Sequence, residues 1–177
     1  MIDNILIFIY IFLDVLPFAI PRYYLFLDKL AIPVRWLAFL LISISVIEAF
    51  GFIYLINQPW CMEIYLLIYR YIFIILYAVL SFIIIKDSFP KVMFIYLLML
   101  SYGAFILGNA HFIEARFFPL LSDEYPYLAN NISKIALLVI TYPMLFYSLK
   151  HYFKKVINVI NSDIWKYIWI IPLIFCT

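Results

Sequence analysis

The 177-residue sequence is poor in glycine, histidine, cysteine and charge. Its three glycines supply no glycine-rich phosphate loop, and the chain has no nucleophile elbow, no paired-histidine helix and no two-carboxylate motif. The two cysteines, Cys61 and Cys176, have no metal or redox spacing, so a disulfide framework is not indicated. The basic residues form no concentrated patch for nucleic acid. We therefore predict that this chain is not an enzyme and has no catalytic, cofactor or metal site.

Hydrophobic residues dominate what remains. They make up 69% of the chain, and only 12% of the residues are charged, which an ordinary water-soluble surface cannot accommodate. We predict an all-α, polytopic integral membrane protein whose apolar surplus faces the lipid bilayer. The N-terminus is interpreted as a retained first helix and not a secretion signal, because residues 1–4 carry no Lys or Arg and no small-residue cleavage site follows.

Apolar runs of about 20 residues predict five complete transmembrane helices and a truncated sixth within a single membrane domain, 1–177. Pro17 and Pro21 are expected to weaken or end the first helix. The basic and aromatic segment Arg22 to Arg35 fits an interfacial position along the headgroups. The sixth run would extend only ~20 Å of a ~30 Å hydrocarbon core, so we expect a chain cut from a longer protein. The predicted spans are 5–20, 36–56, 66–85, 92–110, 132–149 and 164–177.

Lys and Arg residues alternate between the two sets of connections. Eight lie in the first, third and fifth connections: Arg22, Lys29, Arg35, Lys86, Lys91, Lys150, Lys154 and Lys155. The other side carries Arg116 and Lys134, offset by Glu114, Asp123 and Glu124. The positive-inside rule therefore predicts a multi-pass protein of the cell membrane with an extracellular N-terminus.

Three of the charged residues within the predicted spans are candidates for a functional role. Asp14 lies ~13 Å along the first helix, where a carboxylate is costly and marks a functional candidate. The alternative is a structural Asp14, protonated or bonded to a Tyr hydroxyl or to backbone near Pro17. Glu48 and Arg70 lie at similar depths in neighbouring helices, which favours an ion pair. Alternatively, Arg70 reaches outward alone and Glu48 meets a Ser or Tyr.

The longest outer segment, "HFIEARFFPLLSDEYPYLANN", is a candidate extracellular ligand surface. Its charged residues are His111, Glu114, Arg116, Asp123 and Glu124. One His with scattered carboxylates does not form a closed ligand set, so a metal site is not indicated. The aromatic residues of this segment also fit a lipid-facing aromatic belt.

Three stretches together resemble one family: "LPFAIPRYYLFLDKLAIPVRWLAFLLISISVIEAF", "YPMLFYSLKHYFKKVINVI" and "WKYIWIIPLIF". They are similar to the multi-helix membrane sensor that precedes GHKL-type ATPase domains in bacterial, quorum-kinase-like sensor histidine kinases. The resemblance implies a two-component system, an ATP-dependent cytoplasmic kinase beyond Thr177 and a homodimer in the full-length protein. The chain lacks a phosphoacceptor region and an ATP-binding box, so His151 is not assigned the phosphoacceptor role.

The resemblance implies a signal-input function. The chain would detect an unknown extracellular or membrane ligand and transmit the signal to a cytoplasmic kinase domain that it does not itself contain. The alternative is a small multi-pass permease or channel subunit in which Asp14 and Glu48 line a proton or cation path.

Overall fold

The computed structural model describes residues 2–59, 62–125, 127–159 and 162–168. This part of the chain is helical apart from turns and one isolated backbone pairing of Leu30 with Ile85. The α-helices are α1 (Ile2–Tyr24), α2 (Val34–Ile56), α3 (Glu63–Ile84), α4 (Phe89–Phe117), α5 (Pro119–Glu124), α6 (Leu128–Ser148), α7 (Lys154–Val159) and α8 (Ser162–Ile168). A 3₁₀ turn, Leu27–Lys29, follows α1, and a π-helical turn, Leu149–Phe153, joins α6 to α7.

The predicted all-α class is confirmed, and each of the five predicted complete spans is a helix. Within the described residues, five helical segments are long and apolar enough to cross a membrane, and they indicate a multi-pass membrane protein. The helices are longer than the predicted spans; α4, for example, runs from Phe89 to Phe117 where 92–110 was expected. The predicted sixth span begins within α8, but residues 169–177 lie outside the described residues.

Helix α1 contradicts the prediction that its prolines would end it. It continues through both Pro17 and Pro21 to Tyr24. A proline inside a helix removes one donor, but leaving the helix would strip partners from many more backbone groups in an apolar setting. The carbonyl of Pro21 still accepts a hydrogen bond from the Leu25 N–H at 3.4 Å.

Helix α1 occupies the middle of the bundle. It packs against α2, α4 and α6, while α3 packs against α2 and α4. The buried side chains include Phe26, Ile95 and Met99 in one cluster and Ile11 and Ala49 in a second. The outer faces of the helices carry large exposed apolar side chains, for example Phe39, Ile75, Val139 and Met144. An apolar outer surface of this extent is typical of helices that face lipid.

The first, third and fifth connections meet at one end of the bundle, here called the basic end. The backbone of residues 29–31 pairs with that of residues 84–86, with hydrogen bonds of 2.7 and 2.8 Å. Lys29 forms a 2.6 Å ion pair with Asp87, and Lys154 lies 3.4 Å from Asp28. Lys91 donates to the Ile157 carbonyl at 3.0 Å. This grouping is the one that the charge alternation requires, while the orientation across a membrane stays a prediction.

Candidate functional site

Asp14 on α1 binds two cations from different helices. One carboxylate oxygen accepts a hydrogen bond from Arg70 on α3, and the other accepts one from Lys134 on α6. The Asp14 side chain is 8% exposed and that of Lys134 only 1%. Buried charges are tolerated when they are paired. Because the two cations come from α3 and α6, these ion pairs join three helices.

The side chain of Tyr10, one helical turn before Asp14, completes the cluster. Arg70 donates to the Tyr10 hydroxyl at 3.1 Å, and the Lys134 ammonium lies 3.4 Å from the centre of the Tyr10 ring. An aromatic face stabilises a cation that has left water. We refer to Tyr10, Asp14, Arg70 and Lys134 as the Asp14 cluster.

The predicted ion pair between Glu48 and Arg70 is wrong. Arg70 pairs with Asp14, because its side chain points from α3 toward α1, and equal depth along two helices does not fix which faces meet. Glu48 is buried, and its carboxylate accepts a hydrogen bond from the Tyr77 hydroxyl at 3.0 Å. Of the alternative, the part in which Glu48 meets a Tyr is confirmed, and the part in which Arg70 reaches outward alone is wrong. Asp14 was expected, in its structural role, to be protonated or bonded to a Tyr hydroxyl or to backbone near Pro17. The structure instead pairs it with Arg70 and Lys134.

A cavity of about 420 Å³ lies among α1, α2, α3 and α4 and is called here the α1–α4 cavity. Four charged side chains line it, namely Asp14, Arg22, Glu48 and Arg70, and most of the remaining wall is apolar. Exposed wall residues on α3 and α4, including Leu67, Tyr71 and Ala104, place its mouth between these two helices. Its volume and composition are typical of small-molecule sites.

Arg22 does not lie among the headgroups as predicted for the segment that it begins. It belongs to α1, is 6% exposed and lines the α1–α4 cavity. Its guanidinium carbon lies 4.9 Å from the ring centres of both Tyr23 and Tyr96. Its Nε is buried without a hydrogen-bond partner. Because α1 runs through Pro21 instead of ending there, this charge is carried into the bundle.

The predicted outer surface is only partly brought together. The Asn130 amide, on α6, lies 2.8 Å from a Glu114 carboxylate oxygen and 3.0 Å from His111 Nδ1. His111 Nδ1 lies 3.3 Å from the same carboxylate. Arg116 and Glu124 are exposed, and the Asp123 side chain lies outside the described residues. Among the residues that the structure describes, no three His, Cys, Asp or Glu side chains form a metal-binding group.

Tyr127 precedes α6 in a left-handed backbone conformation, with φ of 72°. This conformation is unfavourable for a bulky residue. The ring of Tyr127 packs edge-on against that of Tyr10, 5.1 Å between centres, and burial raises the pKa of Tyr127. Nearby, Asn131 donates to the Leu6 carbonyl at 2.9 Å. These contacts hold the start of α6 against α1, beside the Asp14 cluster.

Sequence reasoning identified Asp14, Glu48 and Arg70 but missed Lys134, Arg22 and Tyr10 as parts of one site. Lys134 lies near the start of the predicted span 132–149 and was therefore grouped with the outer charges. The available signal was that it lies inside this span, where a charge is rare. No protein-family profile, curated protein sequence or solved structure matches this chain.

Proposed function

We propose that this chain is the membrane signal-input region of a sensor histidine kinase, detecting an extracellular or membrane ligand and passing the signal to a cytoplasmic kinase domain outside the chain. One observation carries the proposal. Asp14 and Arg70 line the α1–α4 cavity and also join α1, α3 and α6. A ligand in the cavity therefore contacts the same charges that hold the helices together.

A short chain of contacts leads from the α1–α4 cavity to the basic end. Arg70 binds Asp14, and Asp14 binds Lys134 on α6. Helix α6 continues through the π-helical turn into α7 at the basic end. π-Helical turns often occur at functional sites, and this one lies between the cluster and the basic end, which is predicted to face the cytoplasm and hence the kinase domain.

A ligand shifts such a bundle only if it binds two helix arrangements with different affinity. Weakening of the Arg70 contact to Asp14 leaves Lys134 as the remaining ion-pair partner of that carboxylate. Helix α6 packs against both α1 and α4. A change in its contact with Asp14 on α1 therefore changes its position relative to these two helices. We take this repositioning of α6 as the transmitted signal.

A small permease or channel subunit is the second candidate, and one observation favours it. Both Asp14 and Glu48 line the same cavity, as a proton or cation path would require. Against it, Asp14 is already bound by two cations and Glu48 is 3% exposed. Ion flux through reconstituted protein distinguishes this candidate from a sensor.

Helix repositioning is tested by removing the ion pairs of the Asp14 cluster through substitution. Spin labels are placed at Ile83 on α3 and Met144 on α6, both highly exposed, after replacing Cys61 and Cys176 with Ser. In lipid nanodiscs we expect Asp14→Asn or Arg70→Gln to change the distance distribution measured by double electron–electron resonance. Asp3→Asn, which neutralises an exposed carboxylate on the same helix, should leave the distribution unchanged.

An unchanged distribution in both cluster variants would contradict the signal-input proposal, and a proton or cation flux that depends on Asp14 would favour the permease. The kinase portion is tested separately by sequencing the native transcript beyond codon 177. We expect a further membrane helix followed by an ATP-binding domain. A stop codon within the next few positions would exclude it.

A further inference from the structure

We infer that the α1–α4 cavity binds a single-chain amphiphile with a carboxylate headgroup, and that this carboxylate pairs with Arg22. The inference supplies a ligand class for the proposed function and rests on it only for the consequence of binding. The binding itself is argued from the wall of the cavity.

Arg22 is a buried cation that lacks an anion. Among the described residues, no carboxylate lies within ion-pairing distance of its guanidinium. Asp14 is bound by Arg70 and Lys134, and Glu48 accepts a hydrogen bond from Tyr77. The guanidinium carbon lies over the rings of Tyr23 and Tyr96, 4.9 Å from each centre, but a neutral ring supplies neither a counter-charge nor a hydrogen-bond acceptor in the way a carboxylate does.

A carboxylate is the group that this arrangement fits. Guanidinium presents N–H donors in a fixed plane and binds carboxylates through paired, charge-assisted hydrogen bonds. The buried Nε–H of Arg22 is one such donor, and it has no hydrogen-bond partner. A buried donor without a partner is costly, so binding of a carboxylate removes a cost already present in the free protein.

The rest of the cavity fits a hydrocarbon chain. Leu67, Ile74, Leu100 and Leu107 contribute apolar wall between α3 and α4. The mouth lies on the helix surface that carries exposed apolar side chains, so a chain enters from the lipid and does not cross water. A volume of about 420 Å³ is in the range of sites that take one small molecule, so the ligand that we infer has a single chain.

The position of Arg22 sets the orientation of the ligand. Arg22 lies near the basic end of α1, and Asp14 lies ~12 Å farther along the same helix at 1.5 Å per residue. The headgroup therefore lies toward the basic end, and the chain extends toward the level of the Asp14 cluster. A force on Arg22 acts directly on α1, the helix that carries Asp14.

Binding is measured with radiolabelled laurate and the protein in phosphatidylcholine nanodiscs. We expect laurate to bind, and lauryl alcohol and lauryltrimethylammonium to compete at least about tenfold more weakly than unlabelled laurate, since they keep the chain and lose the carboxylate. Arg22→Gln should weaken laurate at least about tenfold, with partial retention in Arg22→Lys. Arg35→Gln removes an exposed cation from the same end and should have no effect.

A second variant keeps the test valid if Arg22→Gln fails to fold. Ala104→Phe adds bulk at an exposed position of the cavity wall without touching Arg22, and it should reduce laurate binding. Equal binding of laurate and lauryl alcohol, or unchanged laurate affinity in Arg22→Gln, would overturn the inference. Laurate binding without a change in the distance between labels at Ile83 and Met144 would leave this site in place and count against the proposed function.

Discussion

At the scale of single residues, Asp14 is the counter-charge for one buried cation, Lys134, and one half-buried cation, Arg70. Its two oxygens serve Arg70 and Lys134 separately, so neither cation has another carboxylate among the described ion pairs. Lys134 is almost wholly buried, and a buried ammonium without an anion is expensive. The stability of the bundle is therefore expected to be sensitive to this one carboxylate.

Asp14→Asn should lower the free energy of unfolding by about 3–5 kcal/mol, because it leaves the buried Lys134 and the half-buried Arg70 without a counter-charge. Adding Lys134→Met should recover part of the loss, with a coupling energy of about 0.5–3 kcal/mol. The measurement is unfolding of the purified protein in mixed micelles with increasing denaturing detergent. Asp3→Asn is the matched control, and strictly additive effects of Asp14→Asn and Lys134→Met would refute the pairing.

The sequence identified charged residues of this site, but it did not show which of them pair with each other. Asp14, Glu48 and Arg70 stand out because a charge within an apolar run is rare. The pairing of Arg70 could not be predicted, since it depends on how α1 and α3 are rotated about their axes. Arg22 was misjudged for a different reason: its burial follows from the continuation of α1 through Pro21, which local sequence rules disfavour.

At the scale of helices, the contact between α2 and α3 depends on a glycine. The Tyr69 hydroxyl on α3 lies against Gly51 on α2, where an added Cβ would be 2.1 Å from its oxygen. The hydroxyl donates to the Glu48 carbonyl at 3.0 Å. Gly108 on α4 has no side-chain neighbour within 4 Å of the same position. The two glycines therefore differ in role although both are helical.

Gly51→Ala should destabilise the protein by about 1–3 kcal/mol, because the new methyl group displaces Tyr69 from its hydrogen bond. Gly108→Ala should be neutral or stabilising by up to about 1 kcal/mol, since it adds helix propensity without a clash. Both are read from detergent-induced unfolding. Combining Gly51→Ala with Tyr69→Phe should recover some stability. Equal effects of Gly51→Ala and Gly108→Ala on stability would show that the contact of Tyr69 with Gly51 does not determine how closely α2 and α3 pack.

The five long helices and their order were predictable because a run of about 20 apolar residues leaves few other structures available. The short helices α5 and α7 were not predicted. Helix ends were also less predictable, since α1 and α4 both extend beyond their apolar runs. The 3₁₀ turn and the pairing of Leu30 with Ile85 depend on contacts between distant segments, so no local pattern indicates them.

At the scale of the whole molecule, the two ends of the bundle differ in charge. The basic end gathers the first, third and fifth connections, where Lys29 pairs with Asp87 and Lys154 with Asp28. The opposite end carries His111, Glu114 and Asn130 in mutual contact. A membrane orientation follows from this asymmetry through the positive-inside rule.

A thiol reagent that cannot cross membranes should label Cys61 in intact cells, because the connection between α2 and α3 is predicted to be extracellular. Cys61 itself lies outside the described residues. In a variant with Cys61→Ser, a new thiol from Lys86→Cys, exposed at the basic end, should react only after the membrane is opened. Mass spectrometry measures both. The reverse labelling pattern would invert the proposed topology.

The separation of Asp14 from its partners along the chain has a consequence for biosynthesis. Arg70 follows it by 56 residues and Lys134 by 120. When α1 leaves the ribosome, its carboxylate has no cation to meet, and a lone charge is poorly accepted in hydrocarbon. Helix α1 therefore cannot take its final place until α3 and then α6 have been inserted. We expect α1 to stay beside the insertion machinery until α6 supplies the second cation for Asp14.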